Sequence, residues 1–251
     1  SASRKQTSEH LKGGCRVGKS KHRLVTDPLD RRRDSSKGLA HQLLEAPKYG
    51  DGRRISIDIR DCAEARQIDE RHWTVDGTPT DCVTLALNKI LPPSETPHIC
   101  CSGINHGANL GDDATYSGTV AGALEATILG VPGLAFSLTS TRSHDFTESA
   151  RVAREVTAKA IAEGIPQGTL LNVNVPKGVP SGLRVTKQGF KTARPVISEH
   201  IDPRGKPYYW IGELREGFRA EGGTDFEAIA EGYVSITPMR SDLTNHHVLE
   251  H

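Results

Sequence analysis

A chain of 251 residues with 35% hydrophobic and 5% aromatic side chains has the size of one α/β domain, or of one domain with an extension. A formal net charge of +1 provides no long-range field toward nucleic acid or an anionic membrane. No apolar run reaches the roughly 18 residues of a membrane span, and no charged-then-apolar signal pattern opens the sequence.

Residues 1–54 are basic and polar, with charge runs at 19–23 and at Arg31-Arg32-Arg33. Their apolar periodicity is weak, which predicts a poorly packed segment. A nucleic-acid arm would call for aromatic interleaving, and there is none. Residues 54–59 alternate and predict a strand. A second short strand is expected over His72–Val75, closed by the Asp76-Gly77 turn. Pro79 suits the first turn of a helix capped by Thr78 or Thr80. That helix runs through 81–91 and stops at Pro92-Pro93.

A buried strand is expected at 98–102, followed by a glycine-punctuated loop and a helix that begins near Ser117. Gly130 and Pro132 end the helix. A strand over 133–138, a helix over 146–161 and a strand over 170–175 follow. This alternation predicts a doubly wound, mostly parallel α/β sheet. Beyond Pro180 the pattern turns to strands, at 185–189 and 208–211, and a short helix at 226–231. The predicted organisation is a basic segment 1–54, an α/β core 55–180, and a β-rich arm and tail 181–251 of the same domain. The five cysteines, Cys15, Cys62, Cys82, Cys100 and Cys101, are odd in number and lack metal-type CxxC spacing. They read as reduced thiols in the cytoplasm.

The loop from Cys101 to Thr119 carries the chemistry. Four glycines, Gly103, Gly107, Gly111 and Gly118, allow close backbone approach to a ligand. Asn105, Asn109, Asp112, Asp113, Ser117 and Thr119 offer oxygens and amides with little bulk. Ser117-Gly118-Thr119 falls where a helix starts, and the free N–H groups there favour an anion. With Asn109 they read as a phosphate cradle. Hard oxygen donors beside such a cradle point to metal-assisted chemistry on a phosphate. Asp112 and Asp113 are expected to orient the loop, and His106 to face solvent.

This loop resembles the signature of the SurE family of 5′/3′-nucleotidases. The fixed positions are Ser102-Gly103-Ile104-Asn105, Gly107, Asn109-Leu110-Gly111-Asp112-Asp113 and Tyr116-Ser117-Gly118-Thr119-Val120, and all are present. Residues 75–83, 170–176, 202–210, 224–225 and 232–238 agree as well, in family order. The resemblance implies hydrolysis of nucleoside 5′- and 3′-monophosphates with Mg²⁺ or Mn²⁺. It makes Asn105 a metal ligand. It also implies a homodimer or homotetramer built through the arm beyond Pro180. Arg204 and Lys206 belong to a surface turn of that arm, and His246-His247 and His251 to the chain's tail.

The family also ends its first strand in Asn-Asp-Asp-Gly, whose aspartates anchor the metal. That tetrapeptide does not occur in this sequence. Gly50-Asp51-Gly52 is the nearest fragment, and no strand precedes it. Residues 24–31 followed by Ser35-Ser36 resemble the family's second metal-binding strand end, which makes Ser36 the second metal candidate. The metal site thus reads as half built, with no catalytic carboxylate assigned. Three explanations stand: a missing native N-terminus, an altered reading frame, or a non-catalytic relative that binds nucleotide or phosphate or serves as an assembly partner.

Overall fold

The computed structural model describes residues 22–25, 65–69 and 72–249, apart from 141, 193–194, 214–216 and 220. Ser36, the strand expected at 54–59 and most of the basic segment lie outside the described residues.

Two strands, β1 (His22–Val25) and β2 (Ala65–Asp69), flank β3 (His72–Val75) in an antiparallel sheet of order β1-β3-β2. The chain then enters helix α1 (Pro79–Leu85). Thr78 and Asp81 form a reciprocal capping box at its start, and Pro79 occupies the first turn, where its missing N–H costs nothing. Within the expected helix, the five residues Ala86–Ile90 widen into a π-turn.

The central sheet has the order β4-β5-β6-β10-β7. Strands β4 (Cys100–His106), β5 (Gly133–Leu138) and β6 (Thr169–Val175) run parallel. Two helices link them: α2 (Gly118–Ile128) between β4 and β5, and α3 (Thr147–Glu163) between β5 and β6. Downstream come β7 (Leu183–Val185), the hairpin β8 (Pro195–Ile201) and β9 (Pro207–Glu213), α4 (Asp225–Ala230) and β10 (Val234–Arg240). β10 runs antiparallel to β6 and parallel to β7. The α/β class and the parallel core are as the sequence predicts. The tail, however, contributes two strands to the central sheet, and only β8 and β9 form a separate two-stranded sheet.

The two faces of the sheet differ in chemistry. One carries Ile104, Leu134, Phe136, Leu138, Val173 and Val175 against Val152, Ala153 and Val156 of α3. On the other, Ala135 and Leu170 pack on Val120 and Ala123 of α2. Toward the carboxyl ends of the parallel strands this second face turns polar. Ser137 pairs with Asn174 and Ala135 with Asn172, so all four side chains share it. Helices on both faces make the sheet doubly wound. Cys82, Cys100 and Cys101 are free thiols inside these layers. Burial pushes Cys82 and Cys100 up to about 12 and Cys101 to about 11.

Candidate active site at the carboxyl edge

Strand β4 is longer than its apolar pattern predicts. It runs through Asn105 and His106, and its register shifts against β5 between Ser102 and Asn105. Ser102 faces Ala135 and Asn105 faces Ser137, so β4 spends one more residue than β5 over this interval. An extra residue reverses the alternation of faces. Without it, Ser102 and Asn105 would point to opposite sides; with it, Asn105 joins Ser137 on the α2 face. Gly103 makes the bulge feasible. Its φ is +124°, and a Cβ there would collide with the Phe136 carbonyl oxygen.

Asn105 therefore stands at the end of β4, on the face that α2 covers. Its Nδ2 donates to the Gly107 carbonyl at 3.0 Å. That bond fixes the amide and leaves Oδ1 without a partner among the described residues.

α2 begins at the same edge. Ser117 is its N-cap, and its Oγ accepts from the Val120 N–H at 3.2 Å. The hydroxyl proton stays available as a donor. Gly118 and Thr119 are the first two helical residues, so their N–H groups have no intrahelical acceptor. Thr119 is 3% exposed, and its hydroxyl takes no partner among the described residues. Ser117, Gly118 and Thr119 thus gather up to four donors where the helix dipole favours negative charge. The capping role and the anion-binding role of Ser117 are compatible.

Asn109 sits differently. It is buried, and its Nδ2 donates to Ser137 Oγ at 2.7 Å. Its N–H donates to Asn174 Oδ1 at 2.9 Å. Its carbonyl accepts from Asn172 Nδ2 at 2.8 Å and from Asn174 Nδ2 at 3.1 Å. The residue is pinned to β5 and β6. A hydroxyl both donates and accepts, so the Ser137 bond is kept with the Asn109 amide in either orientation.

Further along, Gly111 N–H donates to Asp225 Oδ2 at 2.7 Å, and the Gly111 carbonyl accepts from Gln188 Nε2 at 2.8 Å. Asp112 accepts from the Lys191 N–H at 3.2 Å, and Asp113 forms an ion pair with Lys191 Nζ at 2.9 Å. Both aspartates hold the loop in place.

His106 departs from expectation. As a strand residue next to Asn105 it turns to the other face, opposite Leu138. There its ring stacks on His144 at 4.6 Å, and its Nε2 lies 2.7 Å from the Ser143 carbonyl, a part-buried setting.

Sequence reasoning gave no role to Asn172, Asn174 or Asp225, although their stretches matched the family. The available signal was polar side chains at same-face positions of an apolar strand, Leu170-Leu171-Asn172-Val173-Asn174-Val175.

Among the described residues no group of three His, Cys, Asp or Glu side chains could hold a metal ion. Asn105 offers one neutral oxygen, whereas Mg²⁺ and Mn²⁺ are ordinarily held through carboxylates. The described residues alone do not fit such an ion. Ser36 lies outside them.

A doubly wound sheet with a glycine-rich loop and a helix N-terminus at its carboxyl edge is an α/β architecture, and open α/β sheets in general bind ligands at that edge. The chain belongs to the SurE family: the family model described as Survival protein SurE matches residues 21–195. It is similar to the 5′-nucleotidase SurE of Aquifex aeolicus, with 43% identity over 223 residues, covering 87% of this chain and 88% of that relative. The 5′-nucleotidase SurE of Pelobacter propionicus is 49% identical over 178 residues, covering 69% and 71%. That of Legionella pneumophila strain Philadelphia 1 is 43% identical over 205 residues, covering 80% of each. Among solved structures, the SurE protein from Aquifex aeolicus superposes with a TM-score of 0.67 at 45% identity, covering 78% of this chain and 80% of that one.

The cap geometry gives a direct test. Ser117→Ala removes the cap and is expected to lower unfolding free energy by about 1 kcal/mol, whereas Ser117→Gly costs only a few tenths, about 0.3 kcal/mol. Urea denaturation of the two variants beside the unsubstituted chain checks the difference.

Proposed function

We propose that the site binds the phosphate of nucleoside 5′- and 3′-monophosphates and that its chemistry is phosphate-monoester hydrolysis. The carrying observation is the cluster of uncommitted donors at the start of α2, on the face that also presents Asn105 Oδ1. A phosphate dianion fits that cluster. Gly118 and Thr119 donate through N–H groups, Ser117 and Thr119 through hydroxyls. The helix terminus adds roughly 0.3 to 2 kcal/mol. Donors fixed before the reaction also favour the charge that grows on the phosphoryl oxygens in the transition state. The reversed Asn109 amide supplies a further donor. Asn105 presents an oxygen to whatever cation or water accompanies the phosphate.

A divalent ion, Mg²⁺ or Mn²⁺, belongs to this reading. The names of the relatives support the nucleotidase class, and the family match includes Ser36. The described residues do not complete the ion's site, so no step is assigned to it. On this reading the chain has an anion cradle and, among the described residues, no carboxylate cluster to hold the ion. Its expected behaviour is binding with slow turnover. A non-catalytic nucleotide- or phosphate-binding role is the second reading, favoured by the same gap.

We also infer a homodimer or homotetramer. Ile197, Ile201, Tyr209 and Ile211 of the β8–β9 hairpin are 64%, 71%, 59% and 70% exposed. Such a contiguous apolar surface on a hairpin outside the core sheet calls for a cover. A cytoplasmic location goes with free buried thiols, and among the described residues no helix is long and apolar enough to cross a membrane.

Two measurements check these statements. Calorimetry should show a nucleoside monophosphate binding to the chain, and Thr119→Ala should weaken it about 10-fold or more, the scale of one hydrogen bond to a charged group. Phosphate release from the same nucleotide should be slow with or without added Mn²⁺. Strong turnover abolished by a chelator would mean that residues outside the described ones complete a working metal site. For assembly, light scattering should give at least twice the 27.2 kDa chain mass, and deletion of residues 198–215 should return the monomer. A stable monomer in the undeleted chain would contradict it.

A further inference from the structure

We propose that Asp225 is a positioning residue for the candidate phosphate site, holding the middle of the signature loop through the Gly111 N–H and thereby setting the entry of α2. The inference rests on the phosphate reading above for the site it serves, and on geometry alone for what it holds.

Asp225 is 0% exposed. Its Oδ2 accepts from Gly111 at 2.7 Å, and its Oδ1 accepts from the N–H groups of Gly189 and Phe226, both at 2.9 Å. Burial pushes its carboxyl above the usual range, against the pull of these N–H donors. Among the described residues no cation pairs with it. A buried carboxylate without a counter-charge is costly and persists only where its hydrogen bonds matter.

Capping α4 does not require it, because Thr224 is the N-cap and accepts from the Glu227 N–H at 3.3 Å. What a carboxylate alone supplies here is acceptor capacity on both oxygens. One side takes the signature loop and the other takes Gly189. No neutral amide can do both, since one of its two ends is a donor.

Gly111 is pressed against this partner. With φ at +50°, a Cβ on it would lie 2.6 Å from the Phe226 ring and 2.8 Å from the Gly189 carbonyl oxygen. Both of its peptide groups are taken from the C-terminal side, the N–H by Asp225 and the carbonyl by Gln188. Gly111 also opens the 3₁₀ turn Gly111–Tyr116, whose next residue is the N-cap Ser117. Six residues of tight helix therefore connect the point that Asp225 holds to the donors of the cradle. Asp225 acts through Gly111 and has no contact of its own with Ser117, Gly118 or Thr119.

The experiment uses the full chain and Asp225→Asn, which keeps the shape and replaces one acceptor by a donor. Exposed Asp242→Asn serves as the charge control. Amide hydrogen exchange is followed residue by residue, and inorganic phosphate affinity is measured by calorimetry. In Asp225→Asn the Gly111 amide and those of the 3₁₀ turn should exchange at least 10-fold faster, with β5 and β6 amides unchanged, and phosphate should bind at least 10-fold more weakly. Asp242→Asn should change neither. If Asp225→Asn does not fold, Gln188→Ala, which removes only the donor to the Gly111 carbonyl, should show the same pattern at about 3-fold. Unchanged Gly111 exchange, or an acceleration shared by the whole sheet, would overturn the proposal. Lack of phosphate binding by the unsubstituted chain would overturn the phosphate reading, and the exchange pattern would then decide the loop-holding role alone.

Discussion

Asn109, Leu110 and Gly111 lie buried past the end of β4, where the chain enters the 3₁₀ turn and no strand can satisfy their peptide groups. Buried peptide groups must nonetheless be paired, and each one left unmade costs about 1–3 kcal/mol. Side chains supply what a ladder cannot. The Asn174 amide meets both the N–H and the carbonyl of Asn109, as a neighbouring strand would. Asn172 adds a second donor to that carbonyl. A loop held at this many points reaches Ser117 through fixed hydrogen bonds, and on the proposed reading its donors are set before a ligand arrives.

The polar interior beneath this loop has its own cost. Ser102 Oγ and Asn172 Oδ1 are buried without a partner among the described residues. The opposite face of the same sheet is apolar and packed on α3. The second face thus combines an apolar layer under α2 with the polar groups gathered beneath the loop. The bulge at Gly103 turns Asn105 to that second face. Hard oxygen donors, hydroxyls and a helix terminus then share one edge, which is the arrangement that a phosphate and its counter-ion call for.

Much of this was legible in the sequence. Alternating strands and helices from 98 to 175 gave the parallel sheet, because apolar runs of strand length bounded by glycine and proline have few other interpretations. The helix start near Ser117 followed from a hydroxyl just ahead of an alanine-rich run. The bulge was not legible, since a register shift exists only relative to β5. His106 was misplaced for the same reason: its face depends on how far β4 continues. Asn172 and Asn174 were visible as polar residues in an apolar strand, but their partner is a backbone segment 63 and 65 residues earlier. Asp225 is farther still, at 114 residues from Gly111. Pairings of that range leave no local pattern.

On the proposed reading, the first free N–H groups of α2 meet an anion. Titration of the ¹⁵N-labelled chain with inorganic phosphate tests it most directly. The amide resonances of Gly118 and Thr119 should move in a saturable way, while those of Asn109 and Gly111, already bonded within the protein, stay nearly fixed. Saturable shifts confined to another part of the chain, or none at Gly118 and Thr119, would contradict it.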